Sequence, residues 1–290
     1  NHGSFGATPI PVLEEQSRIR NLLERDPVRF FEREYTDLWN HSRAVLASVL
    51  NADKDGLAFV SNATQGVNTV LRSLKLKPGD EIIISDHTYQ ACWNAVDYVT
   101  RKSGARTVVV NIPFRIEDPE EIINLFMDAV TDRTVLALID TITSPTGTRM
   151  PFEDLTEKLQ SRGVDVLLDA AHGPGIVPID ITRLAPAYCT GNCHKWICSP
   201  KGSAFLHIRE DRKNSVKPLN ISHGFSFEGT AQEKFDFEFA WPGTQDPSPW
   251  LSIPKALEFM EGLVEGGWEQ IMDRNRNLAL QGRNLICDAL

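Results

Sequence analysis

Val164-Asp-Val-Leu-Leu-Asp169-Ala-Ala-His172-Gly173, followed one α/β step later by Thr190-Gly-Asn-Cys-His-Lys195-Trp196, is the stretch on which the fold turns. One apolar run ends in an aspartate, and the next ends in a lysine. Short β-rich runs of this kind recur along the chain, at residues 57–61, 81–85, 107–111, 135–140, 164–169, 187–190 and 203–208. They are largely apolar on both faces, the pattern of strands in a mostly parallel sheet covered by helices on each side. The helical patterns between them carry start signals. Asp118 before Pro119 reads as an N-cap with proline at the first helical position, and Pro151 opens another helix in a similar way. The alternation predicts an α/β doubly wound domain on a mostly parallel seven-stranded sheet.

In such a sheet, ligands sit outside the carboxyl ends of the strands. Polar clusters follow the predicted strands at that edge: Ser61-Asn-Ala-Thr-Gln65, Asp86-His-Thr-Tyr89, Thr143-Ser144, Asp169 to His172, and Asn192 to Lys195. Five strands therefore deliver functional groups to one place. Beyond about residue 210 the pattern loosens. Residues 225–239 read as an irregular, phenylalanine- and glutamate-rich excursion, 241–249 as a loop and 253–262 as a helix. The chain ends in an amphipathic helical pattern.

With 290 residues the chain is long enough for one large α/β domain and a little more. Charged residues make up 24% and apolar ones 41%, as in soluble globular proteins. A net charge of −9 argues against a nucleic-acid partner, which needs a basic face. No apolar run approaches the roughly 20 residues of a membrane span, and no membrane partner is expected. The chain opens Asn1-His2-Gly3 with neither a methionine nor a charged-then-apolar leader, so the expectation is that its natural start is missing. Five cysteines (Cys92, Cys189, Cys193, Cys198 and Cys287) in no framework spacing point to a reduced, cytoplasmic setting. Cys189, Cys193, His194 and Cys198 crowd within ten residues but lack the paired Cys-x-x-Cys knuckles of a zinc site, so small buried hydrophobes is the better reading and no metal is expected.

The chemistry begins at Lys195 and Asp169. A lysine amine can form a Schiff base with an aldehyde cofactor, and an ionised carboxylate can keep the cofactor's pyridine nitrogen protonated, which makes pyridoxal 5'-phosphate an electron sink. The turn from Ser61 to Asn68 leads from a strand into a helix whose free N–H groups and dipole can bind a phosphate, with the Thr64 hydroxyl adding a bond. An ordinary N-cap is the simpler alternative for that turn taken alone. Neither a Gly-x-Gly-x-x-Gly fingerprint nor a Walker loop is present, so dinucleotide and nucleoside-triphosphate readings fall. Asp169 and His172 can share a hydrogen-bond network. A hydrolase triad would also use such a pair, but it needs a nucleophile elbow, and the chain has none. His87 and Tyr89 end another strand, where one ring can stack on a planar cofactor, although a histidine in that position is often structural.

Three motifs, Asp-Ala-Ala-His (169–172), Gly-Asn-Cys-His-Lys-Trp (191–196) and Ser-Pro-Lys-Gly (199–202), resemble the class V aminotransferase superfamily of fold-type I pyridoxal-phosphate enzymes. Asn-His-Gly-Ser-Phe-Gly (1–6), Asp-Thr-Ile-Thr-Ser-Pro-Thr-Gly (140–147) and Gly-Thr-Gln-Asp-Pro (243–247) are similar to its isopenicillin N epimerase-like branch, which also holds carbon–sulfur lyases. The resemblance implies that Lys195 is the catalytic lysine that anchors pyridoxal 5'-phosphate and that Asp169 partners the pyridine nitrogen. It implies that His172 supports the phenolic oxygen with Ser144 nearby, and that His87, or Tyr89 in its place, stacks on the ring. Ala63, Thr64, Asn192 and His194 would hold the phosphate. Thr244 would reach the phosphate of a neighbouring subunit, since such enzymes are homodimers with shared active sites.

The expected organisation is an N-terminal segment (1–20) near the active site, a large cofactor domain (21–245), and an interdomain helix with the start of a truncated C-terminal domain (246–290). The small domain that supplies the family's substrate-carboxylate arginine is expected to be largely absent. The expected activity is chemistry at the α-carbon of an amino acid or amino-acid-containing substrate, of the epimerase type. Carbon–sulfur lyase activity (cysteine desulfurase or cysteine-conjugate/sulfoxide lyase) and true transamination are the alternatives. A non-enzymatic reading, a catalytically incomplete cofactor-binding or dimerisation module, stands beside them.

Overall fold

Seven apolar runs form the strands β1 (Leu57–Val60), β2 (Glu81–Ser85), β3 (Arg106–Val110), β4 (Thr134–Asp140), β5 (Asp165–Ala170), β6 (Tyr188–Asn192) and β7 (Ala204–Ile208) of a computed structural model that describes residues 2–289. They make one sheet in the order β1-β7-β6-β5-β4-β2-β3. Only β7 runs against its neighbours. The expected mostly parallel seven-stranded α/β architecture is therefore present, with each strand within a residue or two of its predicted bounds.

Alternate residues of the central strands feed two cores. Ala137, Ile139, Val166 and Leu168 face the core shared with Trp39, Leu46, Phe152 and Leu257. Leu136, Leu138 and Leu167 face the core shared with Val67, Val70, Cys92 and Val96 of the helices Ala63–Ser73 and Gln90–Ser103. Burial on both faces explains why these strands are continuous apolar runs without alternation.

The parallel register carries chemistry. Asp140 pairs with Asp169, and Asp169 with Thr190, so the carboxyl ends of β4, β5 and β6 lie side by side. The order reverses direction between β2 and β4, since β3 lies on one side of β2 while β4, β5 and β6 follow on the other. A crevice forms at such a reversal, and the polar clusters after β2, β4 and β5 flank it.

The helix after Asp118 forms at Pro119–Asp128 with a full capping box, the Asp118 and Glu121 side chains each accepting from the other's end of the turn. Pro151 takes the N-cap position of Phe152–Ser161 and not the first helical one. The helix near 253–262 forms at Ile253–Glu261. The excursion expected over 225–239 is ordered differently: after a short 3-10 turn, His223–Ser226, residues Ala231–Ala240 are an α-helix. A Thr230–Glu233 capping box starts it, and Phe235 and Phe239, one turn apart, are buried in the core beside β1. Cys189, Cys193 and Cys198 are buried as expected, and Cys92 is buried too, whereas Cys287 is exposed. No helix among the described residues is long and apolar enough to cross a membrane.

Candidate active site

β5 delivers Asp169 to the sheet edge with its side chain 2% exposed. Its Oδ1 accepts the Ala171 backbone N–H at 2.9 Å, and among the described residues its Oδ2 accepts only the Cys92 thiol at 3.3 Å. A thiol is a weak donor, so that oxygen retains capacity for a stronger one. The loop after β6 brings Lys195 within electrostatic reach of it, and the Lys195 Nζ lies 3.0 Å from Nε2 of His172. The Trp196 indole N–H donates to Nδ1 of the same ring at 3.5 Å. An indole N–H can only donate. With Nδ1 as acceptor, a neutral ring carries its proton on Nε2, from which it can donate to Lys195 whenever that amine is free of its own extra proton.

Burial holds the pKa of the His172 ring at about 4, well below the ordinary histidine value, and the Lys195 charge adds to the effect. Burial also lowers that of the Lys195 ammonium, against the opposing pull of Asp169. The Asp169 carboxyl is pushed up by burial and pulled back by the Ala171 amide, the Cys92 thiol and Lys195. Burial keeps Cys92 in its thiol form, so it serves as a donor to Asp169.

The helix Ala63–Ser73 starts at the same edge. Asn62 caps it by accepting from Gln65 N at 2.8 Å, and Asn192 at the end of β6 accepts the Ala63 N–H at 2.9 Å. The Thr64 N–H is left without a protein acceptor among the described residues. The first turn is held against β6 because residue 66 is glycine: a Cβ there would fall 2.1 Å from Oγ1 of Thr190. The His194 ring meets the Ser203 carbonyl at 2.9 Å. After β2, Nδ1 of His87 lies 3.1 Å from the Thr146 hydroxyl, which bonds Thr143 at 2.7 Å. Tyr89, Ser144 and Thr244 are exposed.

Lys195, Asp169 and His172 are thus one cluster, and Ala63 with Asn192 another at the neighbouring strand end. These residues fit pyridoxal phosphate: an amine and a buried acid with spare acceptor capacity on one edge, and a helix N-terminus with a free amide for an anion. Three further groups belong to the site. Cys92 touches Asp169. Asp140 is 4% exposed beside it, and its Oδ2 has no partner among the described residues. The N-terminal segment packs on the lysine loop: a Cβ on Gly6 would lie 2.2 Å from the Lys195 carbonyl oxygen, and Lys201 donates to the Gly6 carbonyl. The signal for Asp140 was in the sequence, because it ends an apolar strand just as Asp169 does.

The Aminotransferase class-V family matches residues 15–287 of the chain. Isopenicillin N epimerase of Streptomyces clavuligerus is 31% identical over 301 residues, covering 99% of this chain and 74% of that protein. L-cysteine desulfhydrase of Arabidopsis thaliana is 32% identical over 305 residues, covering 100% of this chain and 66% of that protein. Among solved structures, the cystine C–S lyase C-DES in complex with its product cysteine persulfide superposes with a TM-score of 0.82 at 22% identity, over 93% of this chain and 73% of that one.

Proposed function

The chain belongs to the aminotransferase class-V family, and from that membership we infer that it is a pyridoxal-phosphate-dependent enzyme that epimerises an amino acid or amino-acid-containing substrate at its α-carbon. The observation that carries the reading is the meeting of Lys195 with His172 at 3.0 Å, with buried Asp169 acting on the lysine charge. The likeness to isopenicillin N epimerase supports the reaction type. Bound pyridoxal phosphate supplies an electron sink for a bond broken at the substrate α-carbon.

The chain's own residues supply the rest. Lys195 anchors the cofactor and, once free, moves the α-proton at its Nζ, a role suited to an amine whose charge is weakened by burial. Asp169 holds the pyridine nitrogen. His172, neutral down to about pH 4, orients Lys195 through Nε2 and supports the phenolic oxygen, with Ser144 near it. His87 stacks on the ring, its orientation fixed by Thr146, and Tyr89 is the alternative at that place. Ala63, Thr64, Asn192 and His194 surround the phosphate. Thr244 completes the site of a second copy in a cytoplasmic homodimer. Residues 21–245 form the cofactor domain in this reading.

Carbon–sulfur cleavage is the second reading, favoured by the likeness to a cysteine desulfhydrase at 32% identity. Protein incubated with pyridoxal phosphate should turn yellow, and borohydride should fix the cofactor to the peptide containing Lys195. Colourless protein that stays unmodified ends the cofactor reading. In heavy water, deuterium at the substrate α-carbon with the amino group retained identifies the epimerase. Keto acid with released thiol from a cysteine substrate identifies the lyase, and pyridoxamine phosphate with keto acid alone identifies an aminotransferase.

A further inference from the structure

Asp140 is a buried acid that the chemistry above leaves unused. It closes β4 in register with Asp169 on β5, and register partners on adjacent parallel strands project to the same face. That face is the one covered by the helix Gln90–Ser103, from which Cys92 reaches Asp169. Asp140 is 4% exposed, and its Oδ2 has no partner among the described residues. The groups facing it are Asp169 on β5, Cys92 on the helix, Lys195 on the loop after β6, and the hydroxyl of Thr88. Lys195 is the one cation in that set.

Two buried carboxyls beside one ammonium cannot both ionise without leaving a net buried negative charge, which is strongly unfavourable. Of the two, Asp169 has the better anion site: the Ala171 amide, the Cys92 thiol and Lys195 all favour its charged form. Asp140 has the Thr88 hydroxyl, a bond to its own backbone and a smaller share of the Lys195 charge, but the Asp169 charge opposes its ionisation and one oxygen is orphaned.

We propose that Asp140 is a positioning residue that keeps its carboxyl proton at neutral pH, so that Asp169 alone presents negative charge to the cofactor's pyridine nitrogen. The inference rests on the reading of Asp169 as that partner. An ionised Asp140 would raise the proton affinity of Asp169 and neutralise it, removing the counter-charge of the ring. Burial and the Asp169 charge both push the Asp140 carboxyl well above the usual carboxylate range, in keeping with the geometry.

Infrared spectroscopy reads the proton directly, with or without cofactor. The wild-type protein at neutral pH should show a protonated carboxyl band that is lost in Asp140→Asn. Absence of the band, or its survival in Asp140→Asn, overturns the proposal. Should Asp140→Asn not fold, Asp140→Glu in protein labelled with carbon-13 aspartate takes its place: the acid band should lose its isotope shift, and a band that keeps the shift overturns the proposal. Stability gives a second readout. A folded-state acid raised above its unfolded value contributes stability at low pH that is lost as pH rises towards the folded value. Asp140→Asn should therefore gain on the wild type in melting temperature as pH rises from about 4, the ordinary carboxylate value. A gap that moves the other way shows that Asp140 is charged. A colourless protein with the Asp140 band intact defeats the cofactor reading and with it the positioning role, whereas a yellow protein without the band defeats only the protonation.

Discussion

At the scale of single residues, the site is a problem in placing protons on few groups at low solvent exposure. Neutral His172 and the weakened Lys195 ammonium both favour the free amine, the form that acts as nucleophile and base. In the proposed reaction Asp169 is the fixed charge against which they work. Asp169→Ala should still bind cofactor at Lys195 but lose activity by about two to three orders of magnitude, the usual cost of removing a preorganised charge. Steady-state kinetics alongside borohydride trapping would check this, and a variant with near-normal turnover would show that Asp169 is not the ring's partner. Because His172 stays neutral until about pH 4, the acid limb of the rate profile should not follow an ordinary histidine. Replacing His172 with glutamine should therefore leave any limb near the ordinary histidine value in place. Lys195, Asp169 and His172 were legible because each follows an apolar run that can only be a strand. Cys92 and the pairing of Asp140 with Asp169 were not, because they depend on which strands lie side by side. That order is set by tertiary packing.

At the scale of elements, the helix Ala63–Ser73 has to come close enough to β6 for Asn192 to accept the Ala63 N–H. Gly66 makes this possible, and Thr190 is fixed in place by its own 2.7 Å bond to the Phe205 carbonyl. Gly66→Ala should push the helix off β6, cost about 1–3 kcal/mol as overpacking does, and weaken cofactor binding more than turnover of the loaded protein. Asp118→Ala is the matched control. It should cost about 1 kcal/mol through loss of its cap and leave cofactor affinity unchanged, because the bonds of Asp118 close on its own turn, to Glu120 and Glu121. Titration of each variant with pyridoxal phosphate, beside thermal melts, separates the two effects. If Gly66→Ala binds the cofactor like the wild type, the helix start does not hold the phosphate. The helix Ala231–Ala240 shows where element reading stops. Phe235-Asp-Phe-Glu-Phe239 alternates apolar and polar residues like a strand, which masks the four-residue spacing of Phe235 and Phe239. The Thr230–Glu233 capping box was the signal that named it a helix.

At the scale of the whole molecule, the end of the sheet opposite the active site carries its own titration. His207 on β7 is 6% exposed against Gly56, and neither ring nitrogen has a hydrogen-bond partner among the described residues. Burial holds its pKa at about 4, with smaller effects from Asp53, which raises it, and Lys213, which lowers it. A histidine depressed in the folded state contributes stability that is complete above its unfolded value of about 6.5 and is lost as pH falls towards about 4. At pH 5 the loss from such a group is about 2 kcal/mol. Asp140 acts in the opposite sense, since a raised acid withdraws stability as pH climbs. Two buried groups at opposite ends of the strands thus narrow the stable range from both sides, one next to the chemistry and one far from it. His207→Leu removes the distant one without touching Lys195, Asp169 or the Ala63 helix start. Its melting temperature should fall less than the wild type's between pH 7 and pH 5, with cofactor content unchanged at both. Equal slopes in the two proteins would mean that His207 is solvated or paired in solution and that the acid sensitivity lies in the active-site histidines His172 and His194, where loss of cofactor would accompany loss of fold.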